Sequence, residues 1–136
     1  MANPTAGARN QYGELGDGTT IQRLRPRAVA TGGIPFDHVT LGVFHTCGVT
    51  TGDRAYCWGW NSYGQLGDGT STNRVTPVAV ATDLRFSSVN VGVVGAHTCG
   101  LTTSQVVYCW GRNGSGMLGD GTQIDRRTPI KVTGQM

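Results

Sequence analysis

Apolar and polar positions alternate along this chain only in short bursts. Phe86-Ser87-Ser88-Val89-Asn90-Val91, the run His97 to Thr102 and the run Val106 to Trp110 are each bounded by Gly, Asp, Asn or Ser. A period of two over about five residues predicts strands that bury one face and wet the other. A further short strand is expected at Val78-Ala79-Val80, just after Pro77. Few stretches could sustain the 3.6-residue period of an amphipathic helix, so an all-α bundle is not expected. The pattern is that of a β-meander with tight turns.

The meander repeats. Gly13-Glu14-Leu15-Gly16-Asp17-Gly18-Thr19 returns as Gly64-Gln65-Leu66-Gly67-Asp68-Gly69-Thr70 and again as Gly116-Met117-Leu118-Gly119-Asp120-Gly121-Thr122. A proline follows seven positions after each Thr, at Pro26, Pro77 and Pro129. His45-Thr46-Cys47-Gly48 recurs as His97-Thr98-Cys99-Gly100, and Tyr56-Cys57-Trp58-Gly59 as Tyr108-Cys109-Trp110-Gly111. Four strands in a period of about 50 residues is the arithmetic of a β-propeller blade, a four-stranded antiparallel meander. Repeat boundaries are expected at 10–60, 61–112 and a partial 113–136, after a segment 1–9 that resembles nothing in the repeat. The chain thus holds two blades plus an extra strand, expected at 128–132, and that strand would complete a blade of the next copy. A lone blade leaves both faces bare. The ring is therefore completed either by oligomerisation, three or four copies giving six or eight blades, or by further repeats.

These motifs together, ending in Tyr-Cys-Trp-Gly-x-Asn, resemble the repeat of the regulator of chromosome condensation family over residues 10–132. The Cys-containing form is similar to bacterial members in particular. The resemblance implies a propeller, commonly of seven blades, and no single activity. Members include a nucleotide exchange factor for a small GTPase, modules of ubiquitin ligases and a secreted bacterial inhibitor of β-lactamase. What they share is protein binding through loops on a propeller face, so the resemblance speaks to fold more than to function.

Composition agrees with a turn-rich β protein: 22 of the 136 residues are Gly and 14% are charged, against a usual charged share of roughly 25%. The net charge of +3 does not by itself call for nucleic acid. Arg23, Arg25 and Arg27 alternate, and Arg126, Arg127 and Lys131 stand in the matching stretch. Positive charge that discourages edge-to-edge pairing explains them better than a DNA stripe. No apolar run approaches the roughly 18 residues of a membrane span, and no signal-peptide core is evident at the start. Neither a membrane nor a nucleic acid partner is expected.

The four cysteines fall in two pairs ten residues apart. With turns centred on Gly52 and Ser104, Cys47 faces Cys57 and Cys99 faces Cys109 across antiparallel strands, within reach of a disulfide. Pairing within each hairpin is expected and would point to an oxidising compartment, extracellular or in the cell envelope. The alternative is four reduced thiols packed as small apolar residues; no Cys-x-x-Cys spacing supports zinc. The glycine-rich string lacks the Gly-Lys-Ser/Thr ending of a phosphate loop. Asp17, Asp68 and Asp120 read as turn residues, one carboxylate per loop being thin for calcium. Neither cofactor nor metal is expected. His45 and His97 are expected to hydrogen-bond within their blades, and Trp58 and Trp110 to pack between blades. A catalytic residue is seldom duplicated in every repeat, so no catalytic residue is assigned.

Recognition should sit where the copies differ. Phe44 corresponds to Ala96, Trp60 to Arg112, and Tyr63, which matches Tyr12, to Ser115. The segment Val93-Val94-Gly95-Ala96 is two residues longer than its counterpart. Members similar to the β-lactamase inhibitor use aromatics just before this His, and the loop after Trp-Gly-x-Asn, as their contact face. Phe44, Trp60, Tyr63, Arg112 and Tyr12 are therefore the candidate partner-binding residues, aromatics and Arg being the usual anchors of protein interfaces. The expected function is a non-enzymatic protein-interaction scaffold that also binds copies of itself. The alternative is a sugar-binding or enzyme-inhibitor propeller with aromatic loops on one face.

Overall fold

The computed structural model describes residues 5–8, 10–92 and 96–135, with side chains from residue 10 onward except in 23–28. Ten strands form in chain order: β1 (Thr5–Ala8), β2 (Arg23–Ala28), β3 (Phe36–Leu41), β4 (His45–Thr50), β5 (Ala55–Gly59), β6 (Arg74–Ala79), β7 (Phe86–Val91), β8 (His97–Thr102), β9 (Val107–Gly111) and β10 (Arg126–Lys131). They make two four-stranded antiparallel meanders, β3-β4-β5-β6 and β7-β8-β9-β10, and a two-stranded piece, β1-β2. The chain is all-β, and the blade architecture read from the repeats is present twice. The sheets converge along β3, β4 and β7, which puts β6 and β10 at their outer edges. Pro77 and Pro129 lie in those outermost strands, where a missing N–H breaks no ladder and discourages a further strand.

One assignment changes. The strand expected to be spare at 128–132 belongs to β10 and pairs with β9 in its own second blade, Ile130 facing Cys109 and Lys131 facing Tyr108. The strand after each Leu-Gly-Asp-Gly-Thr string closes the preceding sheet, so the sheets lie one strand out of phase with the sequence period. These strands also begin earlier than expected: β6 starts at Arg74, ahead of Pro77. What is left over lies at the other end. There Thr5–Ala8 pairs with β2 as β5 pairs with β6, although its sequence is unlike the repeat. Strand pairing is a backbone property, so the register can persist where the side-chain motif does not. The readings placed on Met1-Ala2-Asn3-Pro4, on the side chains of Arg23, Arg25 and Arg27, and on Val93-Val94-Gly95 lie outside the described residues.

Between the two full sheets, Cys47, Val49, Ala55 and Cys57 of the first, with Leu66 of the β5-β6 loop, meet Phe86, Val89, Val91 and Trp110 of the second. A second cluster, Val29, Phe36 and Trp58, repeats the arrangement against the β1-β2 side. The Trp residues thus pack between blades, as their duplication suggested. Two glycines are required by this packing. A Cβ at Gly67, where φ is +72°, would stand 2.7 Å from Trp110 Nε1, and one at Gly100 would stand 2.6 Å from the Phe86 ring. Neither indole nor phenyl could reach its slot over a larger residue.

Candidate protein-binding face

Each repeat builds its exposed loop around one buried asparagine. Asn61 Oδ1 accepts from the Leu66 N–H at 3.0 Å, and its Nδ2 donates to the carbonyls of Thr70 and Thr72 at 3.0 Å each and toward the Asp68 carboxylate at 3.2 Å. Asn10 and Asn113 make the same set in their own loops. All three are almost completely buried. The Asp of each string then receives the Thr two residues on: Thr70 and Thr122 each donate both N–H and O–H to it. Its second oxygen takes an arginine, Arg74 Nε to Asp68 at 3.0 Å and Arg126 Nε to Asp120 at 2.9 Å. Burial raises the Asp68 pKa, but the hydrogen bonds from Thr70, Arg74 and Asn61 outweigh it and hold the carboxyl below its usual value. Asp120 is held low by the same donors, Thr122 first. The aspartates are turn residues, as expected; the asparagine that organises the loop went unassigned. Its signal was a third spacing, Asn to Asp at seven residues, present in all three copies.

One histidine ties the blades together. His45 Nε2 lies 2.9 Å from Thr98 Oγ1 on the neighbouring sheet, and Thr98 donates its own proton to the Gln65 carbonyl at 2.7 Å. With that proton committed, the Thr98 oxygen accepts from the His45 Nε2–H. For His45 this corrects the expected bond within the blade. The spacing could not show it, because the partner is on another sheet. Burial, and secondarily the charge of His97, lower the His45 pKa to about 4; burial lowers that of His97 too. A neutral imidazole serves as a buried clamp at neutral pH.

The cysteines pair as the hairpin geometry required. Cys47 faces Cys57 in the β4-β5 ladder and Cys99 faces Cys109 in β8-β9, and both pairs are disulfides with Cα atoms 4.0 Å apart. Gly52 and Ser104 lie at the centres of these hairpins, and Asp53 and Gln105 take the left-handed position of each turn.

All five candidate binding residues come together. Trp60 lies against three rings: stacked on Tyr12 at 5.4 Å, and edge-on to Phe44 at 5.3 Å and to Tyr63 at 5.5 Å. Phe44 also meets Tyr12 at 5.7 Å, and the Arg112 guanidinium sits 5.2 Å above the Tyr63 ring. The backbone sets this order, since Trp60 N–H donates to the Phe44 carbonyl and Arg112 N–H to the Ala96 carbonyl. The residue after Trp-Gly therefore rests on the Tyr of the preceding loop in both copies. That slot holds an indole in the first and a cation in the second. The rings are half-exposed and Arg112 is exposed. Beside them on the β3-β4 turn, Leu41 and Val43 are 61% and 40% exposed, so the apolar surface extends beyond the rings.

Two profiles of the regulator of chromosome condensation (RCC1) repeat match the chain, one over residues 36–65 and 89–116, the other over 53–101 and 106–136. The chain belongs to the RCC1 repeat family. The ultraviolet-B receptor UVR8 of Arabidopsis thaliana is 34% identical over 125 residues, covering 90% of this chain and 28% of the receptor. The probable E3 ubiquitin-protein ligase HERC4 of Homo sapiens is 37% identical over 92 residues, covering 67% of this chain and 9% of the ligase. The chain thus spans less than a third of these relatives. Among solved structures, Prp20p of Saccharomyces cerevisiae superimposes with a TM-score of 0.79 at 17% identity, over 91% of this chain and 32% of that one. Human WBSCR16 gives 0.78 at 22% identity, over 92% and 33%. These structures share the RCC1 propeller fold, of which this chain forms an unclosed part.

Proposed function

We propose that this RCC1-repeat chain is a non-enzymatic scaffold that binds another protein through the face centred on Trp60. The observation that carries the reading is the contiguity of Tyr12, Phe44, Trp60, Tyr63 and Arg112. They come from four separate loops and share one surface. A central Trp touching three rings, rimmed by apolar side chains, is the composition of an interface hot spot. Among relatives of the fold, Prp20p is described as binding Gsp1p and histones, which supports a protein as the partner class. The two disulfides support an oxidising compartment. The test is comparative capture. Proteins retained by the wild-type chain but lost from the Phe44→Ala/Tyr63→Ala variant are expected, and each is then titrated directly. Equal affinity for both forms, with the variant's far-UV spectrum and unfolding midpoint unchanged, sinks the reading.

Self-association is a second reading, favoured by a separate observation. His45, Cys47, Val49 and Ala55 on the first sheet are buried beneath the second. Their copies His97, Cys99, Leu101 and Val107 are half-exposed. That face matches one already used inside the molecule, so a further copy is a suitable cover. Light scattering after size exclusion is expected to give three or four times 14.3 kDa; a monomer mass overturns it.

A further inference from the structure

Among the described residues, the arginine beside the rings is held differently from those of the loops. Arg74 and Arg126 are bound to the aspartates of their loops. Arg112 is exposed, its Cζ lies 5.2 Å from the Tyr63 ring centroid, and no carboxylate among the described residues is within ion-pair distance of it. A guanidinium held over a ring face still has its N–H donors for a further partner, and the contact restrains it before anything binds. Nearby negative charge is turned inward: Glu14, next to Tyr12, is buried and accepts the Tyr12 N–H at 2.8 Å. The outward charge of the face is therefore cationic, at one end of a row of rings.

Resting on the protein-binding reading above, we propose that the occupant of this face is a protein segment carrying an acidic side chain beside an apolar one. The apolar group seats against Trp60 and Phe44, and the carboxylate takes the Arg112 guanidinium as a two-pronged partner. Tyr63 separates the two subsites, 5.5 Å from Trp60 and 5.2 Å from Arg112. Two or three residues of extended chain, at roughly 3.3 Å each, bridge such a gap. The repeat comparison explains why the cation is accessible. The slot that holds Trp60 in one copy is flanked by Phe44, whereas the slot of Arg112 is flanked by Ala96, which carries no ring to lie against the guanidinium. Charge complementarity of this kind sets orientation and partner choice.

A random-peptide display library selected on the intact, disulfide-bonded chain tests this. Recovered peptides are synthesised and titrated against wild type, Arg112→Glu and Phe44→Ala/Trp60→Ala. Enrichment of Asp or Glu two or three positions from a large apolar residue is expected. So are a loss of at least about tenfold in affinity with Arg112→Glu and a weakening of wild-type binding as salt rises. Arg112 is exposed, so its variant keeps the fold; the Phe44→Ala single variant serves if the double variant does not. Peptides that need the rings but bind Arg112→Glu as well as wild type overturn the acidic partner and leave the protein-binding reading standing. Peptides indifferent to the rings, or none recovered, overturn both.

Discussion

The loops around Asn61 and Asn113 and the face around Trp60 and Arg112 are built from neighbouring residues under different demands. In the loops, two copies carry the same Asn, Asp, Thr and Arg with hydrogen bonds that agree closely in length. On the face, the same backbone slot holds Trp in one copy and Arg in the next, and the residue before His is Phe in one and Ala in the other. A buried asparagine that meets a donor and several acceptors at once is hard to replace, because the groups it leaves would be unsatisfied. A half-exposed side chain is free to differ, and its difference is what a partner can read. Stability and recognition are thus separated within a few residues of each other.

The sharpest way to test that separation is to remove a loop asparagine. Asn61→Ala strips the Leu66 N–H and two carbonyls of their partner in a buried site and is expected to cost about 3 kcal/mol or more. Urea unfolding followed by circular dichroism measures it, and a loss below about 1 kcal/mol would remove the loop from the structural side of the comparison. Next come the disulfides. Each closes a hairpin of equal span, so Cys47→Ser/Cys57→Ser and Cys99→Ser/Cys109→Ser should each lose roughly 2–3 kcal/mol by the loop-entropy estimate. A much larger loss for the first pair would mean that its burial beneath the next blade, more than the cross-link, sets its value.

Acid should loosen the junction between blades before it reaches the loops. The pKa of His45 falls from 6.5 to about 4 on folding. The unfolded chain then binds the proton more readily, so the contribution is complete above about pH 6.5 and is lost as pH falls toward 4. His97 acts in the same direction. Asp68 and Asp120, both held low, add their loss only below the ordinary carboxylate value of 3.8. His45→Gln is expected to flatten the upper part of the profile by about 1–3 kcal/mol, and an unchanged profile would detach His45 from it. The smallest effect belongs to the face. Arg112→Ala is expected to change unfolding stability by no more than about 0.5 kcal/mol, since an exposed cation over a ring contributes little to folding. A larger loss would make Arg112 part of the scaffold.

The repeat carried much of this into view. Strands β7 and β8 begin and end where alternation placed them, and the Cys pairs follow from hairpins centred on Gly52 and Ser104. Comparison of copies also singled out Tyr12, Phe44, Trp60, Tyr63 and Arg112. It could not say that they touch. Asn10, Asn61 and Asn113 recur seven residues before each Asp, but most of their partners are backbone groups, so the spacing alone gave them no role.

What the sequence determined by itself was local or periodic: the extent of β7 and β8, turn position, cysteine register and the spacing of copies. Those depend on backbone period and turn chemistry within a few residues. Only the tertiary structure decided which sheet each strand closes, that His45 reaches Thr98 on the next blade, and that one Trp gathers three rings and leads to an arginine. Such contacts depend on how two sheets lean together. Residues far apart in the chain are then neighbours because packing brings their loops to one end, and spacing along the chain holds no record of that distance.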